Sequence, residues 1–235
     1  MINKVNFSFA FQPIIEVKAK QVFSYEAFIR GINNESSNFI LSQINIANMN
    51  EFDHYARQKA LEIAAKLNIR SFINLNFLPG CLINAHYLED TIEYFKTVNL
   101  SPRQLIIEIS EAEIIQSRTS FMQNITKFRE MGIKVAIDDF GAGYAGLNLF
   151  TNFRPDFIKL DINLIRNIDV YGPRQAIIKA IILVCESLGV DIIALGVETQ
   201  AEYLWLKKQG IDLFQGYLFA KPGFEQLPTI NYPTN

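Results

Sequence analysis

Short apolar segments recur along the chain with a spacing that restricts the possible folds. Eight of them are predicted strands, at residues 9–17, 22–30, 71–77, 105–110, 134–140, 157–161, 191–197 and 213–219. Only four residues separate the first two, which predicts an antiparallel hairpin. The later segments follow at intervals of about 20–40 residues, which leaves room for a crossover helix between parallel strands.

Helical segments are predicted between most of these strands, at residues 50–67, 82–97, 112–131, 171–188 and 200–209. Ser110 with Glu113 and Thr199 with Glu202 fit the capping box, in which a hydroxyl and a carboxylate satisfy backbone N–H groups at a helix start. No Gly/Ser-rich or Pro-rich linker divides the chain, so residues 1–235 are expected to form one domain. The pattern favours an α/β fold, a TIM-like (β/α)8 barrel whose first strand is antiparallel. An open doubly wound sheet is the alternative.

Composition narrows the classes of partner. The net charge of −2 gives no global basic character, so neither DNA, RNA nor a membrane surface is an expected partner. The chain contains no run of about 18 apolar residues and its start lacks a signal-peptide pattern. Cys81 and Cys185 form no CxxC motif and are expected to be reduced thiols in a cytoplasmic protein. His54 and His86 lie at no strand end and are interpreted as surface or packing residues.

Acidic and polar residues concentrate where the predicted strands end, the place where barrel enzymes carry their chemistry. They are Glu26, Asn74, Glu108, Glu111, Asp138, Asp139, Lys159, Asp161, Glu198 and Gln215. One such acid alone is usually a helix cap, but many carboxylates at one rim repel each other. Sharing divalent cations resolves the repulsion, and these oxygen ligands suit Mg²⁺ or Mn²⁺. Two ions about 3.5–4 Å apart are a common device for phosphodiester hydrolysis.

The sequence after the paired aspartates is rich in glycine. The stretch "DDFGAGYAGL" begins at residue 138 and carries three glycines. A plain turn into a helix would explain it equally well, but its position beside two acids favours a loop that rearranges on binding.

Several ordered motifs together resemble one bacterial family. They are "YEAFIRG", "FINLNFLP", "IIEISE", "VAIDDFGAGY", "FIKLD", "GVET" and "QGYLFAKP". The chain resembles an EAL domain, the family that hydrolyses or binds cyclic di-GMP, from "FQPII" near residue 11 to residue 222. Phe28 stands in place of the leucine of the Glu-Ala-Leu signature. The resemblance implies a TIM-like barrel with an antiparallel first strand and a role in second-messenger signalling that controls biofilm formation and motility.

The resemblance implies a set of metal ligands. Glu26, Asn74, Glu108 and Asp138 correspond to the ligands of a first Mg²⁺ or Mn²⁺ ion. Asp138 and Asp139 correspond to the pair that serves a second ion. The family reaction that these ions support opens cyclic di-GMP to linear pGpG.

The resemblance also implies roles around the metals. Lys159 matches a lysine that contacts the attacking water. Glu111 matches a glutamate that steadies the loop after the paired aspartates, and Gln215 matches a glutamine near the metal waters.

Four further residues correspond to positions that hold the nucleotide. Gln12 and Arg30 match residues that grip the dinucleotide, Arg30 through a phosphate. Asp161 and Pro222 resemble residues that line a guanine subsite. The ligand-binding apparatus is therefore expected to be intact.

The chain departs from the family at one position that bears on catalysis. The family usually has Glu-Gly-Val-Glu where this chain has "LGVE". Leu195 replaces the first glutamate, which is tied to the second metal and to activation of water, while Glu198 matches the second glutamate and is kept. Ala142 and Ala145 replace the usual Thr and Ser of the loop.

Three functions follow from this comparison of motifs. The first is a cyclic di-GMP phosphodiesterase weakened by Leu195. The second is a catalytically silent cyclic di-GMP receptor that acts through a protein partner. The third, an interaction domain without ligand, is disfavoured by the intact binding residues. Because the family often pairs through the region of residues 171–188, a homodimer is a further expectation.

Overall fold

The computed structural model describes residues 5–111, 119–142, 146–151 and 153–233. Its strands are β1 (Phe7–Glu16), β2 (Gln21–Gly31), β3 (Phe72–Asn76), β4 (Leu105–Ser110), β5 (Lys134–Phe140), β6 (Phe157–Leu160), β7 (Asp191–Ala194), β8 (Leu213–Phe214) and β9 (Gly223–Phe224). Its α-helices are α1 (Ser37–Leu41), α2 (Met49–Lys66), α3 (Pro79–Ile83), α4 (Ala85–Thr97), α5 (Thr119–Glu130), α6 (Ile162–Ile165), α7 (Gly172–Leu188) and α8 (Gln200–Lys208). Short 3₁₀ turns lie at Ile46–Asn48, Pro102–Gln104 and Gly146–Thr151.

The first eight strands close into a barrel. β1 and β2 form the predicted antiparallel hairpin, and each strand from β2 to β7 pairs in parallel with the next. β8 then pairs antiparallel with β1 at Ile15 and Glu16, which completes the ring. β9 pairs with β1 further along the same edge, at Ala10 and Phe11. The TIM-like barrel is confirmed, and the alternative of an open doubly wound sheet is wrong.

Alternation along the strands divides the barrel into an interior and a helix-facing surface. The interior is filled at one level by an apolar layer of Ile14, Ile106, Ala136, Phe157, Ile193 and Leu213, with Phe23, Phe72 and Leu195 packed against it. The opposite faces of the strands belong to a larger apolar cluster that includes the buried sides of the helices. The barrel interior is therefore packed with apolar side chains at this level.

Some boundaries differ from the sequence-based prediction. The predicted strand 213–219 ends at Phe214, and the predicted strand 191–197 ends at Ala194. The predicted helix 82–97 covers parts of two helices, α3 and α4. The Asn84 side chain separates them, because it accepts the N–H of His86 and caps the start of α4. The capping box of Thr199 and Glu202 is confirmed. The predicted capping box of Ser110 and Glu113 includes Glu113, which lies outside the described residues. The beginning of the predicted helix 112–131 also lies outside them.

Two further expectations concern thiols and membranes. Cys81 and Cys185 are both buried and form no disulfide. Burial raises the pKa of each thiol to about 12. Across the described residues, none of the helices has both the length and the apolar character needed to cross a bilayer.

Gly216 lies against the backbone of Val197 and offers a test of the packing at the rim. A methyl group on Gly216 would lie 2.0 Å from the carbonyl oxygen of Val197, a backbone atom that cannot turn aside. We expect Gly216→Ala to lower the free energy of unfolding by about 3 kcal/mol, because overpacking must move the backbone. Gly172→Ala is the matched control, since its methyl group would meet nothing within 4 Å. Equal melting temperatures for the two variants in a denaturation experiment would contradict this packing.

Candidate active site

The upper layer of the barrel interior carries one side chain from, or directly after, each of the strands β1 to β8. All except Glu26 lie two residues from a member of the apolar layer or from Phe72, which packs against it. Together the eight are Gln12, Glu26, Asn74, Glu108, Asp138, Lys159, Leu195 and Gln215. We call these eight residues the ring. Seven members are polar or charged, and the polar members on β1 to β4, β6 and β8 are buried. Leu195 is the one apolar member of the ring.

Lys159 is the electrostatic centre of the ring. Its ammonium nitrogen lies 2.8 Å from Glu26 Oε2, 2.7 Å from Glu108 Oε1 and 3.1 Å from Asp138 Oδ1. The side chain is only 1% exposed. Burial alone would lower the pKa of Lys159, but the carboxylates of Asp138, Glu108 and Glu26 outweigh it and hold the pKa well above its ordinary value. Lys159 is therefore a fixed positive charge among three acids.

The same acids have the chemistry of a divalent-metal site. One oxygen each from Glu26, Glu108 and Asp138 lies within 4.8 Å of the other two. Asn74 donates its amide N–H to Glu108 Oε1 at 2.8 Å, so its own Oδ1 is turned away from that bond. Asn74 Oδ1 and Glu108 Oε2 are buried and accept no hydrogen bond from any described residue. Hard oxygen donors left over in this way fit Mg²⁺ or Mn²⁺.

One lysine does not fully neutralise this cluster. Burial, and then repulsion from Glu26, raises the pKa of the Glu108 carboxyl well above its usual value, although Lys159 opposes the shift. A second cation in the cluster would remove this penalty. The site thus has both spare ligand atoms and a surplus of negative charge.

Asp138 and Asp139, near the end of β5, lie in different environments. Asp138 lies in the ring, whereas Asp139 is exposed at the rim. The backbone makes this possible because Asp139 has a left-handed φ of 54° and the pairing with β6 shifts register between Ile137 and Phe140. Burial and the neighbouring charge of Asp138 raise the pKa of Asp139 to about 6. The structure thus brings both carboxylates of the pair to one pocket, one inside and one at its edge.

Two glutamines hold Glu26 in place. The Gln215 amide nitrogen donates to Glu26 Oε2 at 2.8 Å and lies 3.3 Å from Gln12 Oε1. The Gln12 amide in turn donates to the carbonyl oxygen of Ala220 at 2.9 Å. This chain of bonds fixes the orientation of Glu26 and ties β1, β2 and β8 together at the rim.

Glu111 connects the end of β4 with the loop after the paired aspartates. Its Oε2 accepts a hydrogen bond from the backbone N–H of Gly141 at 2.8 Å. The contact lies where the resemblance implied it, while its role in steadying the loop stays a prediction. Ala142, at the end of a turn closed on the Asp139 carbonyl, is exposed. Ala145 lies outside the described residues.

The predicted nucleotide-holding residues are not all in the same pocket. Asp161 lines the pocket beside the ring, and it also caps α6 by accepting the N–H of Asn163 at 2.8 Å. Arg30 lies at the end of β2. Its guanidinium group is over the phenyl face of Phe28 and donates a hydrogen bond to the carbonyl oxygen of Ile29. Pro222 is half-buried directly before β9. Neither Arg30 nor Pro222 is among the described residues that line this pocket.

Glu198 does not take the place of the missing carboxylate. It lies at the edge of the pocket, 42% exposed, and its Oε1 is 2.5 Å from Arg166 Nη2. Arg166 also approaches Glu202, the capping residue of α8, at 3.8 Å. The ion pair therefore holds Glu198 toward the loop after α6, and the ring keeps only Leu195 at the end of β7.

Sequence reasoning missed some residues of this rim. Tyr217 and Ile162 line the pocket, and Arg166 pairs with Glu198. Tyr217 is 55% exposed with the ammonium group of Lys221 5.4 Å from its ring centre. An aromatic residue directly after the motif glutamine and glycine was a signal that could have been used. Arg166 carried no such signal, because its partner is 32 residues further along the chain.

Comparison with known proteins identifies the family of the chain. The EAL domain family matches residues 1–222, and the chain belongs to this family. BluF of Escherichia coli K12, a blue light- and temperature-regulated antirepressor, is 37% identical over 234 residues, covering 97% of this chain. RocR of Pseudomonas aeruginosa PAO1, a cyclic di-GMP phosphodiesterase, is 29% identical over 170 residues, covering 72% of this chain. The chain spans 57% of the length of BluF and 42% of that of RocR.

Solved structures of EAL proteins are similar to the chain over nearly its whole length. A standalone EAL protein from Vibrio cholerae O395, in its cyclic di-GMP-bound form, is 40% identical with a TM-score of 0.92 and 97% of each chain covered. BlrP1 of Klebsiella pneumoniae, in a complex with manganese and cyclic di-GMP, is 36% identical with a TM-score of 0.91; the match covers 97% of this chain and 60% of BlrP1. BlrP1 in a complex with calcium and cyclic di-GMP is also similar, at 36% identity with a TM-score of 0.89.

Proposed function

We propose that this chain, as one EAL-type domain, binds cyclic di-GMP with a divalent cation at the ring and hydrolyses it slowly to linear pGpG. The observation that carries the proposal is the composition of the ring. Seven of its eight members are the polar residues that a metal and a phosphodiester require, and the eighth is Leu195. The relatives in complex with cyclic di-GMP support the choice of ligand.

The proposed roles divide between holding the cation and handling the water. Glu26, Asn74, Glu108 and Asp138 would hold Mg²⁺ or Mn²⁺, and Asp139 is the remaining carboxylate for a second ion. A bound cation supplies charge neutralisation of the phosphodiester and acidifies water. Within the chain itself, the ammonium of Lys159 donates hydrogen bonds inside the cluster and is positioned to orient a water molecule.

Further roles concern the nucleotide and the loop. Gln12 and Gln215 keep Glu26 in its orientation, Asp161 offers a buried carboxylate to a guanine edge, and Glu111 tethers the loop after β5. Arg30 is proposed for a phosphate, which requires its guanidinium to leave the Ile29 carbonyl. Pro222 and Glu198 belong to the rim of the same site.

A second candidate function is a receptor without turnover. The similarity to BluF over almost the whole chain favours it, because that relative is an antirepressor and so acts on another protein. In this case Leu195 abolishes hydrolysis and cyclic di-GMP controls a protein partner. A homodimer, cytoplasmic location and a role in biofilm or motility control belong to both proposals.

Calorimetric titration with cyclic di-GMP in Mn²⁺ tests the shared part of both proposals. We expect the wild type to bind, and Glu26→Gln to weaken binding by on the order of 100-fold, as expected for the loss of one metal-site interaction. Glu93→Gln is the matched control, since Glu93 is 69% exposed and pairs with Lys96 on the outside of α4. Equal affinities for Glu26→Gln and Glu93→Gln would contradict binding at the ring. Detection of pGpG in the same samples distinguishes the slow enzyme from the receptor.

A further inference from the structure

The two histidines of the chain approach one carboxylate on helices outside the barrel strands. His54 lies on α2, and His86 and Asp90 lie one turn apart on α4. The Nε2 atom of His86 is 3.3 Å from Asp90 Oδ2, and the Nε2 atom of His54 is 3.7 Å from the same oxygen. The sequence-based interpretation of both histidines as separate surface or packing residues is therefore incomplete, because the fold gives them a shared carboxylate.

In this cluster the side chain of His54 is held by its surroundings, whereas those of His86 and Asp90 can rotate. The side chain of His54 is 14% exposed, and its Nδ1 is buried and forms no hydrogen bond with any residue of the described ranges. The phenol side chain of Tyr87 packs beside both imidazoles, with centroid distances of 5.5 Å to His54 and 6.3 Å to His86. By contrast, the side chains of His86 and Asp90 are 71% and 40% exposed. Rotation of these two side chains costs little.

Two imidazole nitrogens and one carboxylate are a ligand set for transition metals. Imidazole suits Zn²⁺, Co²⁺, Ni²⁺ and Cu²⁺, whereas Mg²⁺ and Ca²⁺ prefer oxygen ligands. Residues four apart on a helix project on the same side, so His86 and Asp90 can grip one ion together. Gln58, whose amide nitrogen lies 3.2 Å from His54 Nε2, can move away or help to orient the imidazole.

We propose that His54, His86 and Asp90 bind a divalent transition metal such as Zn²⁺ and thereby clip α2 to α4. The three donor atoms do not lie in a single coordination sphere as they stand, and a rotation of His86 toward His54 closes the site. A surface ion pair alone needs one histidine and is a weak interaction in water. It gives no reason for the convergence of the second, mostly buried histidine.

The environment of His54 also suits a metal ligand. Burial, and then the charge of Arg57, lowers the pKa of His54, although Asp90 and Asp53 oppose the shift. The lowered pKa favours the neutral form of the imidazole, which is the form that binds metals. The proposed site is independent of the cyclic di-GMP site, because its ligands differ in type and lie on helices outside the barrel.

Titration of the untagged full chain with Co²⁺ and Zn²⁺ tests the proposal. Excess Mg²⁺ in every solution occupies the oxygen-rich ring. We expect one equivalent of Co²⁺ to give the visible absorption of a nitrogen-ligated ion, and Zn²⁺ to displace it. Zn²⁺ should also raise the melting temperature, because it binds only the folded state.

Two exposed substitutions should remove these signals. His86→Ala and Asp90→Asn are expected to weaken Co²⁺ binding at least about 10-fold and to abolish the rise in melting temperature. Glu89→Gln, an exposed neighbour on α4, is the control and should bind as the wild type does. Equal Co²⁺ affinity and an equal thermal shift for wild type and His86→Ala would overturn the site.

Discussion

Leu195→Glu is expected to raise the rate of pGpG formation from cyclic di-GMP by on the order of 100-fold, the lower end of what a positioned acid or base contributes. Leu195 is the β7 member of the ring and lines the same pocket as Asp138, Asp139 and Lys159. A glutamate there gives the ring its missing carboxylate without moving the backbone. The rate is measured by chromatographic separation of pGpG in Mn²⁺ or Mg²⁺.

Two further variants make this result specific. Leu195→Gln has nearly the same shape without the charge, and we expect it to remain as slow as the wild type. Combining Leu195→Glu with Glu26→Gln should abolish the gain, because the cation site is then damaged. A wild type that is already as fast as Leu195→Glu would show that the carboxylate is dispensable in this chain. A silent Leu195→Glu variant that still binds cyclic di-GMP would favour the receptor.

Leu195→Glu should also change how stability depends on metal. The leucine packs against the apolar layer of the barrel, and a carboxylate in its place adds charge to an already acidic pocket. Without a divalent cation the variant is therefore expected to melt below the wild type. In Mn²⁺ the difference should shrink, because an ion that binds only the folded state stabilises it.

The ring shows how much of the site could be predicted from the sequence. Parallel strands place their carboxyl ends at one rim, so the position of Glu108 or Asp138 in an apolar segment was enough to predict that they meet. Side chains along a strand alternate between its two faces, so every second residue of each strand faces the barrel interior. It also explains why Leu195, two residues beyond the buried Ile193, faces the ring instead of the outer core.

Other features depend on loops whose geometry the sequence does not reveal. Directly after β8, the backbone at Gly216 passes against Val197, a contact between residues 19 positions apart. Arg166 reaches Glu198 across two different loops. His54 and His86 converge because α2 and α4 pack side by side. No local periodicity or capping signal encodes these contacts, since each arises from how separate elements pack.

Lys159→Met is expected to destabilise the folded protein by about 3–5 kcal/mol in the presence of a chelator, the usual cost of leaving buried charges without their partner. Methionine has a similar length and volume, so packing is largely kept. The ammonium group that lies within 3.1 Å of Glu26, Glu108 and Asp138 is removed. The unfolding free energy in urea measures the loss.

The reason for the loss can be tested by lowering the charge of the cluster. Adding Glu108→Gln to Lys159→Met should recover part of the stability, because two buried carboxylates then repel less than three. Mn²⁺ should stabilise Lys159→Met more than it stabilises the wild type, since the cation no longer shares the carboxylates with an ammonium group. If Lys159→Met were as stable as the wild type in chelator, the acids would be neutralised by their own protons. The ring would then be a proton-sharing cluster that needs no cation, and the metal ligands proposed for it would have to be abandoned.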